Sequence, residues 1–164
     1  MKLRLRATGL ALFVAGALMT HAQAGSWTYE LDKQDHSTLT YSEDGKVTFF
    51  LGCGHAFALH VKYPGVAKKD GDATIIIASG KARMTLKGEF EEPDEELATT
   101  FQQFDLGYRR QDPDLYRKEW ERLRDRLLDL LDSGRKLTIS AGKDNYSLPP
   151  IEAKGWRKAL GKCG

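Results

Sequence analysis

The sequence has few of the residues that most often carry catalysis or metal binding. Its 164 residues include two cysteines and four histidines. The spacings typical of a serine-hydrolase elbow, a zinc-protease helix or a calcium loop do not occur. Ser79-Gly80-Lys81 shares residue types with a phosphate-binding loop but lacks the glycine-rich run of that motif. These absences argue against an enzyme, and we expect a non-catalytic protein with no cofactor and no metal site.

A hydrophobic run long enough to cross a membrane is also missing. The longest apolar run, residues 7–19, is shorter than the roughly 20 residues that span a bilayer. Three basic residues precede it, and Ala22-Gln23-Ala24 follows as a small-x-small cleavage signal. The pattern predicts a cleaved signal peptide over residues 1–24 and a single exported domain over 25–164. We expect that domain to be periplasmic or secreted, without stable membrane insertion.

Excess basic charge is confined to the predicted signal peptide. The whole chain has 25 basic and 23 acidic residues, and Lys2, Arg4 and Arg6 lie in the part expected to be removed. The remaining 22 basic residues do not exceed the acidic ones. A chain of this charge has no general attraction for phosphate backbones, which argues against nucleic-acid binding. We expect the partner to be another envelope or secreted protein.

The two cysteines, Cys53 and Cys163, both lie in the predicted exported part. Two cysteines in an oxidising compartment usually pair, so a Cys53–Cys163 disulfide is expected. The alternative makes Cys53 a nucleophile with His55 as its base, since neighbours two apart share a strand face. His55 and His60 differ in parity and would point to opposite faces of a strand, which argues against a shared metal site.

Between residues 26 and 90 the pattern is that of consecutive strands and turns. Val47, Phe49, Leu51 and Cys53 alternate with other residues, which indicates a strand with one face in a core. Asp44-Gly45 suits a two-residue hairpin turn, where both central residues need positive φ. Five or six strands, turning every 8 to 14 residues, predict an antiparallel meander.

The clearest helix signal covers residues 113–132. Asp112 suits the N-cap, Pro113 the first helical position, and Gly134 the stop after the last turn. The apolar stripe consists of Tyr116, Trp120, Leu123, Leu127 and Leu130. The predicted fold class is α+β and mainly antiparallel β. We expect a single-domain sandwich or meander sheet, covered by this one long amphipathic helix and closed by one disulfide.

The candidate contact region is the segment that joins the strands predicted between residues 26 and 90 to the helix predicted over residues 113–132. Six of the eight residues from 89 to 96 are acidic, which is typical of a solvated loop. Paired carboxylates for glycoside chemistry would need burial that a solvated loop does not supply. Leu97, Phe101 and Phe104 then fall at helical spacing, which predicts a short helix ending at Gly107. The candidate partner-binding residues are Phe101, Phe104, Tyr108, Arg109 and Arg110.

The last quarter of the chain resembles a known group of proteins. The order of its elements is an apolar helix, Ser133-Gly134, Leu137-Thr138-Ile139, Tyr146-Ser147-Leu148, Trp156 to Leu160, and Cys163. This order is similar to the end of small periplasmic bacterial proteins of the invasion-associated locus B kind and of periplasmic type VI secretion accessory proteins. The resemblance implies an exported, disulfide-closed β-sandwich with no catalytic residues. The predicted function is a non-catalytic binding or accessory protein of the bacterial envelope.

A second resemblance is to periplasmic lysozyme inhibitors, which are also small, β-rich and disulfide-linked. It implies that Ser79 and Lys81, on a turn, enter the cleft of a lysozyme. The alternative function is therefore a periplasmic inhibitor of a cell-wall hydrolase. A thiol or carboxylate enzyme is the third hypothesis.

Overall fold

The computed structural model describes residues 25–34, 36–54, 57–66, 71–90, 101–102 and 113–162. Within these residues the chain forms nine strands and two helices. The strands are β1 Ser26–Leu31, β2 Ser37–Glu43, β3 Lys46–Cys53, β4 Phe57–Val61, β5 Asp72–Ser79, β6 Ala82–Glu89, β7 Phe101–Gln102, β8 Leu137–Ala141 and β9 Asp144–Leu148. The helices are α1 Pro113–Leu131 and α2 Trp156–Leu160.

All strand pairs are antiparallel, in the order β1-β2-β3-β4-β7-β6-β5-β8-β9. The two-residue strand β7 joins two four-stranded groups, because Gln102 is the partner of both His60 in β4 and Glu89 in β6. We call the two groups, β1–β4 and β6-β5-β8-β9, the two layers of the fold, since only the short strand β7 connects them by hydrogen bonds.

Two side chains of the edge strands tie the layers together. Trp27 in β1 donates its indole N–H to the carbonyl of Pro149 just after β9, at 3.0 Å. Tyr146 in β9 donates its hydroxyl to the carbonyl of Lys62 just after β4, at 2.8 Å. Burial, and secondarily the charge of Glu43, raises the pKa of Tyr146, so this hydroxyl stays protonated and can donate.

Alternation along the strands places one face of each in a common core. In β5, for example, Ala73, Ile75 and Ile77 are buried while Thr74 between them is exposed. One buried cluster combines the inward residues of both strand groups with residues of both helices. The layers therefore belong to one folded unit.

The predicted fold class is wrong in two respects. The sheet is not a meander, since β7 lies between β4 and β6 and β8 pairs with β5. The structure is mostly antiparallel β, with two four-stranded groups and two helices, and the C-terminal part of α1 packs into the core that both groups share. Leu127, Leu128 and Leu131 are at most 1% exposed and lie in the same cluster as the strand residues. The predicted stripe omitted Leu128 and Leu131, which lie to one side of it, so the buried face of the last helical turns is wider than the stripe.

The expected closure of the fold by a disulfide also has to be corrected. Cys53 is buried at the end of β3, but Cys163 lies outside the described residues, so these residues contain no complete bridge. Cys53 is nevertheless not a free thiol. This argues against the alternative in which Cys53 acts as a nucleophile.

The short helix predicted from Leu97, Phe101 and Phe104 is corrected by strand β7. Phe101 pairs with Val61 and Gln102 with Glu89, so the backbone here is extended. Pairing with two neighbouring strands outweighs a local helical spacing of three apolar residues. Leu97, Phe104 and Gly107 lie outside the described residues.

No helix in the described ranges has the length and apolar character needed to cross a bilayer.

Candidate functional site: a basic surface at two adjacent turns

Two turns that are far apart in the sequence lie side by side in the fold. The β5–β6 turn consists of Gly80 and Lys81, and the connection from α1 to β8 runs from residue 132 to 136. The pairing of Ser79 with Leu137 brings them together. The hydroxyls of Ser79 and Ser133 share a hydrogen bond at 2.5 Å across the two segments. Strand register and this bond fix one turn against the other.

Gly80 allows an arginine from the second segment to cross the first turn. Its φ of +60° favours glycine, and a Cβ built there would collide with Nη1 of Arg135 and lie 3.2 Å from its Cδ. The absence of a side chain at Gly80 is therefore what lets the Arg135 guanidinium pack over the turn. This packing places the Arg135 guanidinium over the turn that also contains Lys81.

Four cationic side chains are gathered around these turns, and we call them the basic end. All four are exposed: Lys81, Arg83, Arg135 and Lys136. Arg83 faces outward from β6, opposite Ala78. Among the described residues, no carboxylate lies within ion-pair distance of any of them. Since no neighbour neutralises them there, their charge is available to an anionic surface on another molecule.

Most of the partner-binding residues predicted from the sequence lie outside the ranges that the structure describes. Phe104, Tyr108, Arg109 and Arg110 are outside the described residues, and of Phe101 only the backbone in β7 is described. Their role in binding stays a prediction.

The structure separates the two residues of the predicted inhibitor turn. Lys81 is exposed at the tip, but Ser79 is 3% exposed and bonded to Ser133, so it does not face a partner. Ser79 continues the inward alternation of Ala73, Ile75 and Ile77 in β5. This alternation is the sequence signal that could have predicted the burial of Ser79, since every second residue of β5 from Ala73 onward faces the core.

The two histidines in the described part of the chain, His36 and His60, do not form a common metal site. The ring of His60 contacts the ring of Phe50 edge-on, with centroids 5.4 Å apart, on the outward face of the β1–β4 layer. His36 Nδ1 lies 3.0 Å from Asp32 Oδ2 in the loop after β1, and His55 is outside the described residues. In the part of the chain that the structure describes, no three His, Cys, Asp or Glu side chains are grouped to hold a metal.

No family model, curated protein or solved structure matches this chain.

The Ser79–Ser133 bond leads to a prediction with a matched control. Ser79→Ala removes a bond between the two turns, and we expect a loss of about 1 kcal/mol in the free energy of unfolding. The control is Ser37→Ala, since Ser37 Oγ is fully buried with no hydrogen-bond partner in the described structure. Removing an unsatisfied hydroxyl is expected to be neutral or stabilising by up to about 1 kcal/mol. Urea denaturation of both variants measures the difference, and equal losses would contradict the assignment.

The packing of Arg135 on Gly80 gives a second prediction. Gly80 and Gly142 are the first residues of two-residue hairpin turns, with φ of +60° and +58°, but a Cβ at Gly142 meets no atom within 4 Å. Alanine at either position is expected to cost about 1–2 kcal/mol of backbone strain. Only Gly80→Ala should also move Arg135, seen as a changed side-chain NMR signal. An unchanged Arg135 signal in Gly80→Ala would show that the guanidinium does not lie over the turn.

Proposed function

We propose that this chain is an exported, non-catalytic binding protein of the bacterial envelope, and that its basic end contacts an acidic surface on a partner protein. The observation that supports the proposal is the grouping of Lys81, Arg83, Arg135 and Lys136 with no described carboxylate to neutralise them. The expectation of export rests on the signal-peptide pattern over residues 1–24.

The basic end is suited to binding because it is preorganised. The Ser79–Ser133 bond and the fit of Arg135 over Gly80 hold the two turns before a partner arrives. Binding to a preorganised surface loses less conformational entropy than binding to a mobile one. Arginine also presents a planar set of donors that matches a carboxylate with two parallel bonds. An acidic protein surface fits this geometry.

The position of Lys81 supports a second candidate function, inhibition of a cell-wall hydrolase. Glycoside hydrolases generally place two carboxyl groups in their cleft. Lys81 lies exposed at the tip of a narrow turn with Arg135 beside it, which is the charge and shape that would enter such a cleft. Ser79 has no part in this version, because it is buried. A lysozyme activity assay tests it, and the absence of inhibition at micromolar excess would remove it.

The experiment that tests the main proposal is affinity capture from a bacterial envelope extract. The expected result is a specific partner that is released when the salt concentration is raised to about 0.5 M, because screening weakens contacts between exposed charges. A partner that stays bound at that salt concentration, or no partner above background, would contradict a basic contact surface.

A further inference from the structure

The β5–β6 hairpin carries opposite charges at its two ends. The turn end belongs to the basic end through Lys81 and Arg83. At the open end, Asp72 and Glu89 are direct cross-strand partners and both are exposed. Strands of eight residues put roughly 24 Å between these two groups of charges.

The acidic pair is not explained by the stability of the hairpin. Like charges directly opposite each other on a sheet are destabilising. Lys87, two residues from Glu89 on the same face, makes no ion pair with either acid, and neither do the other described cations. An external cationic surface would offset this repulsion.

We propose that the acidic pair of one copy of this chain binds the basic end of a second copy. The two charge groups are complementary, but they lie at opposite ends of one rigid hairpin and therefore cannot meet within a copy. The contact is head-to-tail, so a bound pair of copies still has one free acidic pair on one copy and one free basic end on the other, and further copies can add in the same direction.

This contact uses the same basic end as the proposed function, and self-association would compete with partner binding there. The inference does not require an envelope partner. Its test uses the purified protein alone, so that a failure here leaves the partner proposal standing, and a failed capture experiment leaves this one standing.

The test compares two charge-reversal variants by sedimentation velocity at low ionic strength. Lys81→Glu/Arg135→Glu has two acidic ends, and Asp72→Lys/Glu89→Lys has two basic ends. Each alone is expected to associate at least about tenfold more weakly than the unmodified protein, because like charges now face each other. Mixed in equal amounts, they should associate again, because each supplies the end that the other lacks.

Three results would overturn the inference. One is an unmodified protein that stays monomeric at low ionic strength, and another is a mixture that associates no better than its components. The third is association that persists at about 0.5 M salt, where exposed charges are screened; this can be measured without any variant. Lys33→Glu is the matched control and should associate like the unmodified protein, because Lys33 is exposed in the loop between β1 and β2, and β1 lies at the opposite edge of the strand order from the β5–β6 hairpin.

Discussion

Leu128→Ala is expected to lower the free energy of unfolding by about 2–5 kcal/mol, the cost of truncating a fully buried leucine. Leu128 is 0% exposed and lies in the cluster that also contains the inward strand residues. The Tm should fall by roughly 10 °C for a domain of this size. Urea and thermal denaturation, followed by circular dichroism, measure both quantities.

The control is Leu123→Ala, five residues earlier on the same helix. Leu123 belongs to the stripe predicted from the sequence, but in the structure it is only partly buried against the cluster. A helix lying outside the sheet on its predicted stripe would make Leu123 the more costly truncation. The structure predicts the reverse order. A smaller loss for Leu128→Ala than for Leu123→Ala would show that the end of α1 does not enter the core.

The second large effect is expected on binding. Lys81→Glu/Arg135→Glu should weaken the captured partner's affinity about 100-fold or more, since two attractive contacts become repulsive. The free energy of unfolding should change by no more than about 1 kcal/mol, because both side chains are exposed and only the packing of Arg135 on Gly80 is lost. Isothermal titration calorimetry with the purified partner measures the affinity.

Lys143→Glu is the matched control for this test, because Lys143 is an exposed lysine at the second position of another two-residue turn. It should bind the partner within about twofold of the unmodified protein, the size of a long-range charge effect in salt. Equal weakening by the turn control would mean that net charge, rather than the basic end, governs binding.

The sequence predicted the local parts of this fold because their causes are local. Alternation of Val47, Phe49, Leu51 and Cys53 predicted a strand with one face in the core, and in β3 Phe49, Leu51 and Cys53 are buried. The Asp44-Gly45 turn is confirmed: both residues have positive φ, and Glu43 pairs with Lys46 across it. Such features depend on side-chain parity and on the φ that a two-residue turn requires.

Features that depend on strand pairing were not predictable from local pattern. A two-residue strand such as β7 has no periodicity of its own, and its position between β4 and β6 is set by tertiary pairing. The burial of Leu128 likewise depends on how α1 packs against the strands. An apolar stripe identified in the sequence shows which side of the helix is apolar, but not which residues the rest of the fold covers.

The candidate site was missed for the same reason. Arg135 meets Gly80 only because Ser79 pairs with Leu137, a register that joins distant parts of the chain. The near balance of acidic and basic residues also concealed the grouping of charge on the surface. Only Lys81 was among the predicted site residues. Arg83, Arg135 and Lys136 became visible once β5, β6 and β8 were placed side by side.

Site-specific photo-crosslinking in the bacterial envelope tests most directly whether the basic end is the contact surface. A photoreactive residue replaces Arg83, which faces outward beside the turn, or Lys143 as the control. The account predicts a discrete crosslinked partner from position 83, attached through a peptide rich in aspartate and glutamate, and no such product from position 143. The same product from both positions, or a product from position 143 alone, would contradict it.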